Sequence, residues 1–213
     1  MCLVKHLVLA VLLWLGGIHA SAASALFNVA VDTSALAGAS AFIAFDFINS
    51  DTLVNNTVTV SGFSGAGAYN PALASTTGDV AGALDTSAVL GDNQGFNELA
   101  QPITLGNGLS FTLDLSNLFS GLGLPDRFAL LLLDGITGLP LYATYDPSGS
   151  DALLGIALSG GTLGAEIYAP TAGGGAIVQA TPASPVPEPS TGGLFLLGTL
   201  IGGPFRKATR RRR

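Results

Sequence analysis

Cysteine, histidine, tryptophan and methionine are almost missing from this 213-residue chain, and the few copies crowd at one end: Met1, Cys2, His6, Trp14 and His19. With that end set aside, the rest has no thiol, imidazole, indole or thioether. Cysteine and Ser-His hydrolase chemistry is thereby excluded, as are His-ligated zinc, haem and iron–sulfur sites. No disulfide can form, so stability must come from packing or from bound ions. Positive charge is equally scarce. Of eight Lys and Arg, six lie in the last eight residues, and between residues 26 and 180 Arg127 alone faces thirteen carboxylates, a formal charge of −12. Such a surface repels nucleic acid and anionic lipid, which require basic patches. It also repels acidic polysaccharide unless divalent cations bridge the two.

What is present is glycine, 29 residues, scattered among short apolar runs, which argues against a helical bundle. The runs alternate with period two: Phe27, Val29 and Val31; Phe45 and Phe47 about Asp46; Val58 and Val60 about Thr59; Phe111, Leu113 and Leu115. Phe128 to Leu133 is apolar throughout and predicts a central strand covered on both faces, with Leu139 to Thr144 returning beside it as a hairpin. Leu153 to Leu158, Ala165 to Tyr168 and Ala176 to Gln179 bring the total to eight or nine short strands. The expected fold is all-β: an antiparallel β-sandwich, jelly-roll-like, over 26–180. One helical turn is expected near Ser116 to Leu122. Asp32-Thr33-Ser34-Ala35-Leu36-Ala37-Gly38 nearly recurs as Asp85-Thr86-Ser87-Ala88-Val89-Leu90-Gly91, either as corresponding turns in two halves of a sandwich or by chance in an Ala- and Ser-rich chain.

The ends read as addresses. Residues 1–25 combine Lys5, an apolar run from Leu7 to Ile18 and two small-residue cleavage sites, ending at Ala22 and at Ala25, the layout of a secretory signal peptide cut by signal peptidase. Residues 181–191 form a Pro-rich linker favouring extended chain. Residues 192–213 hold an apolar stretch of about 14 residues, roughly 21 Å as a helix and short for a membrane span, followed by Arg206, Lys207, Arg210, Arg211, Arg212 and Arg213 as a basic stop.

Val186-Pro187-Glu188-Pro189-Ser190-Thr191, then Leu194, Leu196, Leu197, Gly198 and Leu200, then the arginine cluster, resembles the PEP-CTERM sorting signal of exopolysaccharide-producing Gram-negative bacteria. The resemblance covers about the last 28 residues, and Pro204 interrupts the apolar stretch more than is usual in the family. It implies a passage through the inner membrane on a short transmembrane helix, recognition by exosortase, a membrane-embedded cysteine transpeptidase, cleavage near Pro187-Glu188-Pro189, and transfer to the cell surface or biofilm matrix. Val31-Asp32-Thr33-Ser34 and Leu130 to Asp134 also resemble a PEP-CTERM domain family of unassigned activity.

Between the addresses, chemistry rests on carboxylates. Calcium needs six to eight oxygens and neither His nor Cys. Two loops offer them: Gly91 to Glu98, through Asp92, Asn93 and Glu98, and Asp146 to Asp151, through those two aspartates. Asp46, Asp114 and Asp134 are the acids an acid-pair glycosidase would draw on. Tyr142, Tyr145 and Tyr168 would supply the stacking platform of a module binding exopolysaccharide. The expectation placed first is a non-enzymatic, exported surface or matrix protein without catalytic residues or an obligatory cofactor.

Overall fold

A computed structural model describes residues 24–183 apart from Gly174. Ala22, the sorting motif Val186–Thr191 and the basic residues from Arg206 to Arg213 lie outside the described residues. Within them, thirteen strands pair antiparallel throughout and build two sheets, with helix confined to 3₁₀ turns at Ser34–Leu36 and Pro71–Leu73. The fold is all-β, a sandwich-like pair of sheets.

Sheet A contains β1 (Ala25–Asp32), β3 (Thr57–Ser64), β6 (Val80–Gly82), β7 (Ser87–Gly91), β9 (Gly108–Leu115) and β13 (Val178–Ala183), in the order β13-β1-β9-β3-β7-β6. Sheet B contains β2 (Ser40–Ile48), β4 (Ala68–Tyr69), β5 (Ser75–Thr77), β8 (Phe96–Thr104), β10 (Asp126–Asp134), β11 (Leu154–Leu158) and β12 (Ala165–Ile167), in the order β12-β11-β10-β2-β8-β4, with β5 also on β8. The chain runs out along β1, β2 and β3 and returns along β7, β8 and β9, so that β3 pairs β7, β2 pairs β8 and β1 pairs β9. This folded ribbon then closes on itself where β9 also pairs β3.

The alternation in the sequence has a simple cause. Phe27, Val29 and Val31 of β1, Ile43, Phe45 and Phe47 of β2, and Phe111, Leu113 and Leu115 of β9 point inward into one cluster built from both sheets. Phe45 sits at its centre, edge-on to Phe111 across the sandwich at 5.2 Å and stacked near Phe128 of β10 at 6.4 Å. Each such side chain contributes about 1.5–3 kcal/mol by leaving water. β10 is covered on both faces as its unbroken apolar run predicts: Phe128, Leu130 and Leu132 enter the main cluster, while Ala129 and Leu131 join a second cluster outside sheet B.

Four expectations need correction. Leu139 to Thr144 is not a strand: it touches β10 only through the bridge between Leu133 and Pro140. β11 leaves the edge of β10 at Leu130, so beyond it Asp134 N donates to Leu139 O and Leu141 N to Leu132 O; Ala143 O then accepts from Thr171 N and Thr144 N donates to Asp151 Oδ1, which draws the chain away before a ladder forms. Ser116 to Leu122 forms no helical turn, because the Asn56 side chain takes Leu118 N and O and Ser120 Oγ takes Leu122 N, while the Asn117 side chain ties the segment to Gly160 N and Gly161 O. The domain spans more than 26–180, since Ala25 pairs with Leu115, and Thr181, Pro182 and Ala183 pair with β1. The compact unit closes at Ala183, so the first three residues of the predicted linker belong to a strand. The two near-repeats differ as well: Asp32 Oδ1 accepts from Ser34 N and Oγ at the end of β1, whereas the turn beside Asp85 closes through Thr86 N on Ala83 O.

Candidate functional site

Where β13, β1, β9 and β3 lie side by side, the outward positions of sheet A form rows of small, uncharged polar groups. Asn28 pairs with Thr181 on one side and Thr112 on the other, and Thr112 in turn with Ser61. Two residues along, Ala30 lies between Gln179 and Ser110. Thr112 Oγ1 donates to Asn28 Oδ1 at 3.3 Å, which fixes the amide, and the Ser64 and Ser110 hydroxyls lie 2.9 Å apart. A bulge in β3 at Gly62, where φ is +63°, breaks the register between Ser61 and Ser64 and, with the small Ala30, opens a depression of about 350 Å³. Only glycine adopts that backbone angle without strain. A second depression of about 320 Å³ shares Ala30 and Gln179 and continues the furrow toward Asp32 and Gly108.

The outer face of sheet B is covered. Ala44, Ala129 and Leu131 are sealed by Ala152 and Tyr168. Above them Asp146 organises the 146–152 loop: its carboxylate accepts from Ser148 N and Oγ, Ser150 Oγ and Ala152 N, and pairs with Arg127 at 3.2 Å. Burial alone would raise the Asp146 carboxyl, but these donors outweigh it and hold the group well below the usual carboxylate range. The Tyr168 hydroxyl donates to Glu166 and receives Arg127 Nη2 at 3.0 Å; burial, then the Glu166 bond, pushes it up to about 12. Gly155 on β11 leaves room for this network, since a Cβ there would stand 3.0 Å from both Arg127 Nη2 and the Tyr168 hydroxyl. Farther along this outer face, Asp46 faces Glu98 directly across β2 and β8. Burial, then the Glu98 charge, pushes Asp46 up to about 7, and its buried Oδ1 has no partner.

The residues predicted for calcium do not assemble in either loop. Asp92 turns its Oδ2 onto Asn55 N and Asn56 N, Asn93 is exposed, and Glu98 lies on β8 opposite Asp46. Asp146 is consumed as described, and Asp151 Oδ1 accepts from Thr144 N. Backbone amides have taken the oxygens that the spacing had seemed to reserve for an ion. Among the described residues, no three His, Cys, Asp or Glu side chains converge so as to hold a metal.

The glycosidase acids are scattered too. Asp114 is exposed on sheet A, on the opposite side of the sandwich from Asp46, and Asp134 caps the turn at Ile136 and Thr137, which keeps its carboxyl below the ordinary value. Asp46 does acquire a carboxylate neighbour, Glu98, that sequence reasoning had assigned elsewhere. The tyrosine platform fails because Tyr168 is buried and Tyr142 packs against the core, leaving Tyr145 the exposed one of the three. The polar rows of sheet A went unnoticed in the sequence. Their signal was the Asn, Ser, Thr and Gln between inward apolar positions, but which strands would lie adjacent was not readable.

Comparison with known proteins returns nothing to set beside this geometry: no protein-family model, curated protein or solved structure matches the chain.

Proposed function

We propose that the chain is an exported surface or matrix protein, delivered by its signal peptide and released through a C-terminal signal resembling PEP-CTERM, with the sandwich as a non-enzymatic structural or adhesive unit of the jelly-roll type. The observation that carries this reading is the spacing at Ala183. The last strand ends there, and Val186-Pro187-Glu188-Pro189 begins after Ser184 and Pro185 alone. Exosortase cleavage at the motif would free a complete sandwich with almost no tail. Signal peptidase cleavage after Ala22 fits the same logic, because Ala25 already pairs with Leu115, and a cut after Ala25 would remove a strand residue. Intact mass of the protein recovered from the native cell surface tests this: it should begin near Ser24 and lack every residue from Arg206 on. A full C-terminus on the surface protein would refute the sorting reading.

A second reading, binding of exopolysaccharide, is favoured by the furrow on sheet A. Amides and hydroxyls fixed on strands, with carboxylates only at the margins, suit neutral sugar hydroxyls better than acidic ones. Equilibrium binding to exopolysaccharide purified from the host tests it. Saturable binding that falls when Asn28 and Thr112 are both changed to alanine would support it, and no binding would leave the structural role.

A further inference from the structure

We propose that the loop joining β2 to β3 binds one calcium ion, with Asp51 Oδ2 and Asn55 Oδ1 as its side-chain ligands. The loop, Asn49-Ser50-Asp51-Thr52-Leu53-Val54-Asn55-Asn56, is tied down by two carboxylates from elsewhere. Asp126 Oδ1 accepts from Ser50 N at 2.8 Å, its Oδ2 from Asn56 Nδ2 at 2.9 Å, and Asp92 Oδ2 from Asn55 N and Asn56 N at 2.9 and 2.6 Å. Asp51 adds a third carboxylate, with Oδ1 accepting from Leu53 N at 2.9 Å. All three are buried: Asp126 is 0% exposed, Asp92 2% and Asp51 8%.

Two acceptors are then left over. Asp51 Oδ2 and Asn55 Oδ1 are both buried, and no donor reaches either. A buried carboxylate oxygen without a donor or a cation is costly. Among the described residues no side-chain cation relieves it, because Arg127, the sole Lys or Arg there, is committed to Asp146 and Tyr168. Both leftover atoms are oxygens, one charged and one an amide carbonyl, a hard mixed donor set of the kind calcium accepts. Magnesium demands a stricter octahedron and transition metals prefer nitrogen or sulfur. Since three acidic side chains do not meet at a point, main-chain carbonyls of the loop and water complete the shell, while Asp92 and Asp126 position the loop and add negative field. The site is distinct from the Asp146 loop, whose carboxylate is fully engaged.

The test is calorimetric titration of the full chain in mild detergent with calcium chloride alone, after chelator treatment, with melting followed in EDTA and in millimolar calcium. One saturable site and a melting temperature about 5 °C or more higher with calcium are expected. Asp51→Asn keeps an oxygen for Leu53 N and should weaken calcium tenfold or more. Asn55→Asp, which adds a charge at the other ligand, should tighten calcium and melt lower than the parent in EDTA. Asp146→Asn should leave calcium affinity unchanged. Identical melts in EDTA and calcium, or Asn55→Asp binding no more tightly than the parent, would overturn the assignment even if Asp51→Asn failed to fold.

Discussion

On the outside of sheet A, Asn28, Thr112, Thr181 and Gln179 stand uncovered, whereas on the outside of sheet B, Ala44, Ala129 and Leu131 lie beneath Ala152 and Tyr168. The polar groups differ in the same sense. Those around the covered patch of sheet B are spent internally, with Asp146 taking four hydrogen-bond donors from its own loop and pairing with Arg127, and Tyr168 joined to Glu166. Those of sheet A mostly bond only their immediate neighbours and keep capacity for a partner. One face is therefore closed by its own side chains and the other stands open, and each can be broken separately.

The largest effect should come from charging the covered face. Leu131→Asp places an unpaired carboxylate in an apolar cluster and should abolish cooperative melting or lower it by well over 10 °C, since burying an isolated charge costs several kcal/mol. Thr112→Asp on the open face should leave the melt within about 0.5 kcal/mol of the parent, and equal losses from both would erase the contrast. Next, Asp146→Ala removes the organiser of the 146–152 loop and strands Arg127, at an expected cost of about 2–4 kcal/mol by denaturant unfolding.

The third effect depends on pH. The Asp46 carboxyl is pushed up to about 7 in the folded chain from an ordinary 3.8, so the folded state retains a proton that the unfolded state has released. Its contribution is fully present below about pH 4 and is lost as pH rises through 7. Asp32 and Asp134, held below the ordinary value by Ser34 and by Thr137 with Ile136, act oppositely and matter only below about pH 4. The melting temperature should therefore be higher at pH 5 than at pH 8, and Asp46→Asn should flatten that slope. A parent slope of the opposite sign would contradict the Asp46–Glu98 pairing. Smaller still is Gly155→Ala, which crowds Arg127 and Tyr168 and should cost about 1 kcal/mol, read in the same unfolding experiment. The smallest change in stability, within about 0.5 kcal/mol, is expected for Asn28→Ala with Thr112→Ala, whose effect should appear only in polysaccharide retention.

Much of the strand pattern was legible because inward and outward positions alternate in β1, β3 and β9 and because β10 is apolar on both faces. β8 was not. Its inward positions are Asn97, Leu99, Gln101 and Ile103, so two amides occupy places where apolar residues would announce a strand, and Pro102 interrupts the run. Asn97 earns its burial through bonds to Phe47 O, Gln94 O and Asp79 N, contacts that exist only after folding. Leu139 to Thr144 shows the opposite case, an apolar run that meets β10 at one bridge before Ala143 and Thr144 bond to Thr171 and Asp151 instead. The calcium loops illustrate the same limit: Asp92 and Asp146 were visible as oxygen donors, but their consumption by backbone amides 36 and 6 residues away was not.

By itself the sequence determined the strand periodicity of the domain, the absence of thiol and imidazole chemistry from it, and the motif at Val186–Thr191. These are local properties, readable from spacing and residue type. Tertiary structure alone decided that Asp46 meets Glu98, that Asn28 and Thr112 share an open face, and that Asp51 and Asn55 keep unpaired oxygens inside the β2–β3 loop. Each of these joins, or leaves unjoined, groups brought together by the folded ribbon, and strand adjacency is set by which apolar faces close on one another rather than by any short stretch of chain.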